Sequence, residues 1–237
     1  MTNRSQMTRP ATRPTMKQSP DGSAKRTRQH LPAAERERQI VEAAADFFAE
    51  HGLEGQTREL AKTLGITHSA IFRYFPSKEA LIERVYDHVF LSRWDPDWRG
   101  LLSDRSQPLE QRLIRFYHAY AERIFDAQWM RIFMFAGLKS HPMTNRYVSL
   151  IRTQLIRPAC GELRAELGLP TLASFPITAR EEEAFWALHG MVFYLGIRKF
   201  IYGMRTQGDQ SQIIADDVRA FLAGAPFILR AACGTSG

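Results

Sequence analysis

The stretch ITHSAIFRYFPSK, residues 66–78, decides the fold. Gly65 precedes it, and Pro76 closes it by pushing Phe75 out of the α region. Only a short helix fits between them. Thr67 suits its N-cap, because a threonine hydroxyl can accept from an unbonded N–H. Ile71 and Phe75, four residues apart, face inward. His68, Ser69, Arg73 and Tyr74 fall together on the outer side. A helix used only for packing has no need of that polar set.

Outward from this segment the pattern stays helical. A short helix over about Thr57–Leu64 carries Leu60, Ala61 and Leu64, and Gly65 breaks it. Ser77 caps a longer helix with Leu81, Val85, Tyr86 and Val89. Upstream, Ile40, Val41, Ala44, Phe47 and Phe48 mark one face of a helix that starts at Ala33. Glu35 and Glu37 sit in its first turn, where the helix dipole favours acids, and His51-Gly52 ends it. Two short helices across a tight turn, braced by a longer helix on each side, have helix-turn-helix spacing.

After His88 the texture changes. WDPDWRG, 94–100, reads as a connector. Pro108 opens a helix with Leu113, Phe116, Tyr117, Tyr120 and Ile124. Another spans about Gln128–Leu138 with Trp129, Phe133 and Phe135. A third begins near Pro142 with Tyr147, Leu150, Ile151 and Leu155, and Pro158 should kink or break it. GLPTLASFPIT, 168–178, reads as a loop. Thr178 followed by Glu181, Glu182 and Glu183 starts a helix to Gly203 that is apolar nearly all round, which implies burial on two sides. The last helix covers about Gln210–Leu222. The expected fold is all-α, about nine helices, with domains at 31–90 and 91–237.

Charge is unevenly spread. The net value is +7, but residues 1–30 hold seven basic residues against one acidic, and residues 31–90 hold seven against ten. Bulk attraction is therefore a poor argument for nucleic-acid binding here. Residues 1–30 contain no Leu, Ile, Val, Phe, Tyr or Trp, so they are expected to form a disordered basic tail whose KRTR, 25–28, can touch phosphates.

Several function classes are disfavoured. No run of 18 apolar residues and no secretory h-region occurs, so a cytoplasmic protein with no membrane partner is expected. Cys160 and Cys233 lack disulfide-framework or metal spacing and read as two small apolar residues in a reducing compartment. The scattered histidines give no metal site. Gly-rich phosphate loops and local catalytic motifs are absent, so no catalytic residue or cofactor is assigned. An enzyme on a helical scaffold remains a remote alternative.

GLEGQTRELAKTLGITHSAIFRYFPSKEALIERVY, 52–86, resembles the DNA-binding domain of the tetracycline-repressor-like (TetR) family of bacterial regulators. The specific parts are LAKTLGI, 60–66, and FRYFPSKEAL, 72–81. Two positions depart from the family pattern. Phe72 stands where a tyrosine is usual and lacks a phosphate-binding hydroxyl. Gln56 stands where a threonine is usual and caps more weakly.

The resemblance implies a regulator of transcription, more commonly a repressor. Thr67 to Ala70 would enter the major groove, with His68 and Ser69 at base edges and Ala70 against a thymine methyl. Arg73 would reach a guanine or a phosphate, and Tyr74, Lys78 and Thr67 the backbone, with Gln56 and Thr57 at the start of the preceding helix. Phe72 and Phe75 are expected mainly to pack. Arg58 and Lys62 read equally well as solvated or phosphate-bound.

So short a reading helix calls for two copies on a palindromic operator, hence a homodimer. The last two helices are its expected interface, with Phe185, Leu188, Val192, Leu195, Ile201, Ile213, Val218 and Phe221 as candidates for partner or core. By resemblance the larger domain binds a small effector of unknown identity. Phe116, His118, Tyr120, Trp129, Phe133, Trp186, His189 and Phe193 are its candidate lining, and the aromatic content suits a hydrophobic or aromatic molecule. The same stripe also reads as plain core. A same-fold regulator that answers to a protein partner, or to no ligand, is the alternative.

Overall fold

The computed structural model describes residues 32–234, so the expected basic tail at 1–30 lies outside the described residues. Helix α1, Ala33–His51, buries Ile40, Val41, Ala44, Phe47 and Phe48 along one face. Gly52 (φ 75°) ends it in the left-handed region and brings the chain against Phe135. Helices α2, Thr57–Thr63, and α3, His68–Phe72, follow. Gly65 (φ 63°) turns the chain between them. Helix α4, Lys78–Val89, is capped by Ser77, whose Oγ accepts from the Ala80 N–H at 3.1 Å.

A 3₁₀ turn at Leu91–Arg93 leads into α5, Trp98–Ser103. The sequence pattern marks this helix only as connector. WDPDWRG has no apolar period of its own, and Trp98 finds its helical partner only at Leu102, beyond that window; both are buried. Then come α6, Leu109–Ile124, and α7, Ala127–Leu138, which is capped by the Asp126 carboxylate accepting from the Trp129 N–H at 2.7 Å. Helices α1 and α4 carry buried faces into the same apolar core as α6 and α7, and that core runs without a break from Ile40 to Leu229. It crosses the expected boundary near residue 90.

Helix α8, Pro142–Ile151, continues through a π turn, Arg152–Ile156, into α9, Arg157–Glu166. Pro158 neither breaks nor sharply interrupts the rod. Lacking an N–H, it cannot bond the carbonyl four residues back, and its ring crowds that carbonyl. The turn just before it widens instead, with the Arg157 N–H donating to the Arg152 carbonyl five residues back.

Helix α10, Ala179–Phe200, starts at a full capping box between Thr178 and Glu181. The same Glu181 is wholly buried and paired with buried Arg164 of α9 at 2.6 Å. Arg164 also donates to the carbonyls of Phe175 at 2.6 Å and Pro170 at 3.2 Å. One guanidinium thus ties α9, the 167–178 loop and the start of α10 together. Burial alone would raise the Glu181 carboxyl. Arg164, with Thr178 behind it, holds the group below the usual carboxylate range.

Helix α11, Gln210–Ala232, runs ten residues beyond the expected end at Leu222 and contains Pro226. Lacking an N–H, Pro226 leaves the Leu222 carbonyl four residues back without its helical bond, and the helix continues past it. No helix among the described residues is long and apolar enough to cross a membrane.

Candidate nucleic-acid interface

The α2–α3 hairpin is held from inside by Leu60, Ile71 and Phe75, all buried. Its backbone turn closes with the Gly65 N–H on the Lys62 carbonyl at 3.0 Å and the Ile66 N–H on the Ala61 carbonyl at 3.0 Å. A polar link then clamps the two helices: the Thr57 hydroxyl lies 2.8 Å from His68 Nε2. The first turn of each short helix is therefore fixed to the other.

That link bears on two residues expected at DNA. Thr57 is buried, with its hydroxyl directed to His68. His68 has one ring nitrogen in contact with Thr57 and its ring edge-on to Phe72 at 4.9 Å. Phe72, expected mainly to pack, is 36% exposed. Thr67 occupies the N-cap position without a side-chain cap bond, its hydroxyl 3.2 Å from Ser69 Oγ.

Gln56, Thr67, Ser69, Phe72 and Arg73 remain on the open face, with Ala70, Tyr74 and Lys78 half-buried beside them. Arg58, Lys62, Arg73 and Lys78 have no carboxylate within ion-pairing distance among the described residues. Lys78 opens α4, where the helix dipole disfavours a cation. A bound anion would relieve that cost. The hairpin thus offers short polar side chains, an apolar ring and uncompensated cations at one end of the body, the donor types that phosphates and base edges require.

Residues 40–85 match the model for bacterial regulatory proteins of the tetR family. Over this segment the chain is similar to the tetR family. Among curated relatives it is 34% identical over 70 residues to the HTH-type transcriptional regulator LuxR of Vibrio harveyi, covering 29% of this chain and 34% of that protein. It is 29% identical over 85 residues to the tetracycline repressor protein class A from transposon 1721 of Escherichia coli, covering 32% and 39%. The chain thus spans little more than a third of the curated relatives it matches. The fold extends further than the sequence match. A tetR-family transcriptional regulator from Streptomyces coelicolor superposes over 86% of this chain and 87% of its own, with a TM-score of 0.55 at 19% identity.

Behind the tetR-type hairpin, α4 ends on Phe90, which is buried among Trp129, Phe133 and Tyr147 at ring distances of 5.0, 6.3 and 5.6 Å. Of the expected effector lining, Phe116, Tyr120 and Trp129 are buried outright, while Phe133, Trp186 and Phe193 are half-buried. Ring contacts chain Trp129, Phe133, Phe193, His189 and Tyr120 into one cluster. The Tyr120 hydroxyl meets that of Tyr147 at 3.2 Å.

Two polar atoms in this cluster, Trp129 Nε1 and His189 Nδ1, are buried without a hydrogen-bond partner. Burial pushes His189 down to about 4, so its ring is neutral at physiological pH. His118 does not belong to the cluster: its Nε2 lies 2.9 Å from the Ser211 carbonyl at the start of α11. Phe90 and Tyr147 also belong to this ring cluster, and sequence reasoning did not include them in it. Phe90 continues the Ile82–Tyr86 spacing of α4, the signal that points to it.

The residues expected to face either partner or core are divided by their burial. Phe185, Leu188, Val192, Leu195, Val218 and Phe221 are buried in their own protomer, with Phe185 and Phe221 in ring contact at 4.9 Å across α10 and α11. Only Ile201 and Ile213 keep partial exposure. The exposed stripe of α10 is Ala187, Gly190, Met191 and Tyr194. That of α11 is Ala220, Ala223, Gly224, Phe227 and Ala231, with Phe227 74% exposed. Apolar size signals the core, so the bulky series marks the inward face. The outer face is marked instead by small residues at helical spacing.

Proposed function

We propose that the chain is a DNA-binding transcriptional regulator, acting as a homodimer on a palindromic operator in the cytoplasm. The observation that carries this reading is the clamped α2–α3 hairpin with its unpaired cations, inside the segment that matches the tetR family. Ser69, Phe72 and Arg73 read the major groove, with Phe72 offering an apolar contact to thymine methyls and Arg73 a bidentate partner to guanine. Gln56, Thr67, Tyr74 and Lys78 hold the backbone, and Ala70 lies at the groove wall.

The outer stripe of α10 and α11 is the dimer face. Small residues let helices approach closely, and Phe227 and Met191 supply the bulk of the apolar contact. Repression is the favoured direction, in keeping with the name of the Escherichia coli relative.

The aromatic cluster is the effector site. A buried N–H or ring nitrogen without a partner costs about 1–3 kcal/mol, and a ligand that bonds Trp129 Nε1 and His189 Nδ1 removes that cost. Among the described residues no charged side chain belongs to the ring cluster, so the effector is uncharged, largely aromatic, and carries one or two hydrogen-bonding groups. Phe90 couples it to α4 and so to the hairpin. The test is fluorescence anisotropy of full-length protein on its selected operator. Arg73→Ala should change which sequence is preferred, while Lys78→Ala should weaken every sequence alike. Exchanged outcomes would overturn both roles.

A further inference from the structure

A cleft of about 460 Å³ opens among α5, the π turn, α9 and the loop after it. It shares no residue with the aromatic cluster or the hairpin, and its volume is ordinary for a small-molecule site. The apolar floor is Leu102, Pro158, Gly161, Ala165, Leu169 and Leu172. Arg99, Arg105 and Arg157 stand around it, and Glu162 is the acid in the lining.

Glu162 is already neutralised. Burial would raise its carboxyl, but Arg105 at 2.9 and 3.0 Å and Arg112 at 2.8 Å hold it below the usual range. Asp104, next to Ser103 in the chain, accepts from the Ser106 hydroxyl at 2.6 Å. Arg99 and Arg157 have no carboxylate within ion-pairing distance among the described residues. The acid whose charge Arg157 feels is Glu182, and Arg152 grips both of its oxygens. Two guanidinium forks, one from α5 and one from α9, thus flank the apolar floor without a paired carboxylate of their own among the described residues. The π turn that places Thr153 in the wall is a distortion found often at functional sites.

We propose that this cleft binds an amphipathic carboxylate, its apolar body on Leu102, Leu169 and Leu172 and its carboxylate held by Arg99 and Arg157. Arginine forks match carboxylate oxygens in paired hydrogen bonds, which an uncharged isostere does not offer. The bound anion ties α5 to α9. This site is separate from the one proposed for the uncharged effector.

Isothermal titration calorimetry on the full chain tests it, with octanoate and 2-naphthoate as probes and the non-aromatic octanamide and inorganic phosphate as comparisons. Saturable binding of octanoate is expected, with the amide and phosphate each weaker by about tenfold or more. Arg99→Gln and Arg157→Gln, both at exposed positions, should each lower affinity about tenfold, and Ala165→Phe should abolish binding by filling the floor. His189→Phe, in the aromatic cluster, should leave it unchanged. The proposal is overturned if neither carboxylate binds, if octanamide or phosphate binds as tightly as octanoate, if the arginine variants keep wild-type affinity, or if His189→Phe removes binding.

Discussion

Two helical hairpins in this molecule, α2–α3 and α10–α11, each rely on a polar link, the first within the hairpin and the second from α9 to the start of α10, and the links differ in kind. In the first, Thr57 meets His68 at 2.8 Å, a contact between groups that need carry no charge. In the second, Arg164 and Glu181 meet at 2.6 Å with both side chains wholly buried. A neutral hydrogen bond contributes about 1 kcal/mol net, whereas removing one half of a buried ion pair costs about 3–5 kcal/mol because the other charge is stranded. The hairpin proposed to meet DNA is thus held lightly, and the one proposed to form the dimer is anchored hard to α9.

The largest effect expected from that contrast is on Glu181→Gln, which should destabilise the fold by about 3–5 kcal/mol in chemical denaturation. A loss under about 1 kcal/mol would dissolve the contrast. Because the folded Glu181 carboxyl lies below its unfolded value, its stabilisation is complete above the ordinary carboxylate range and is lost as pH falls through the folded value. His189 acts at milder pH. Its folded value of about 4 lies below the ordinary 6.5, so the unfolded chain takes up the proton first, and stability drops as pH falls between those values. His189→Phe should flatten that part of the melting-temperature profile. An unchanged slope would show that the ring is not held neutral in the fold.

Next in size is Phe227→Glu on the outer stripe of α11. It should weaken self-association by about thirtyfold or more, as loss of a central aromatic contact does, read by sedimentation. Val192→Ala, pointing inward, should lower stability by about 1–3 kcal/mol without separating protomers. A reversed pattern would put the interface back on the buried face. The smallest expected effect is on Thr57→Val, about 1 kcal/mol of stability. It should also loosen operator discrimination, because His68 is released.

The same two hairpins show what sequence can convey. ITHSAIFRYFPSK carries its turn glycine, its closing proline and its polar outer side in linear order, so the hairpin, its inward Ile71 and Phe75, and the exposed Arg73 are legible. What linear order does not carry is partnering across a turn. Thr57 and His68 are eleven residues apart, and nothing local says that they bond. In α10–α11 apolar residues cover both faces, so periodicity cannot separate core from interface, and a proline hides the last ten residues of α11. The Arg164–Glu181 pair is invisible for the same reason: Glu181 alone reads as an ordinary first-turn acid.

The central claim is tested most directly by selecting full-length protein against random double-stranded DNA and measuring protomers per selected duplex. The account predicts a palindromic sequence whose half-sites are about one helical turn apart, roughly 34–36 Å, bound by protomers in multiples of two. Weak, salt-sensitive binding without sequence preference would contradict it.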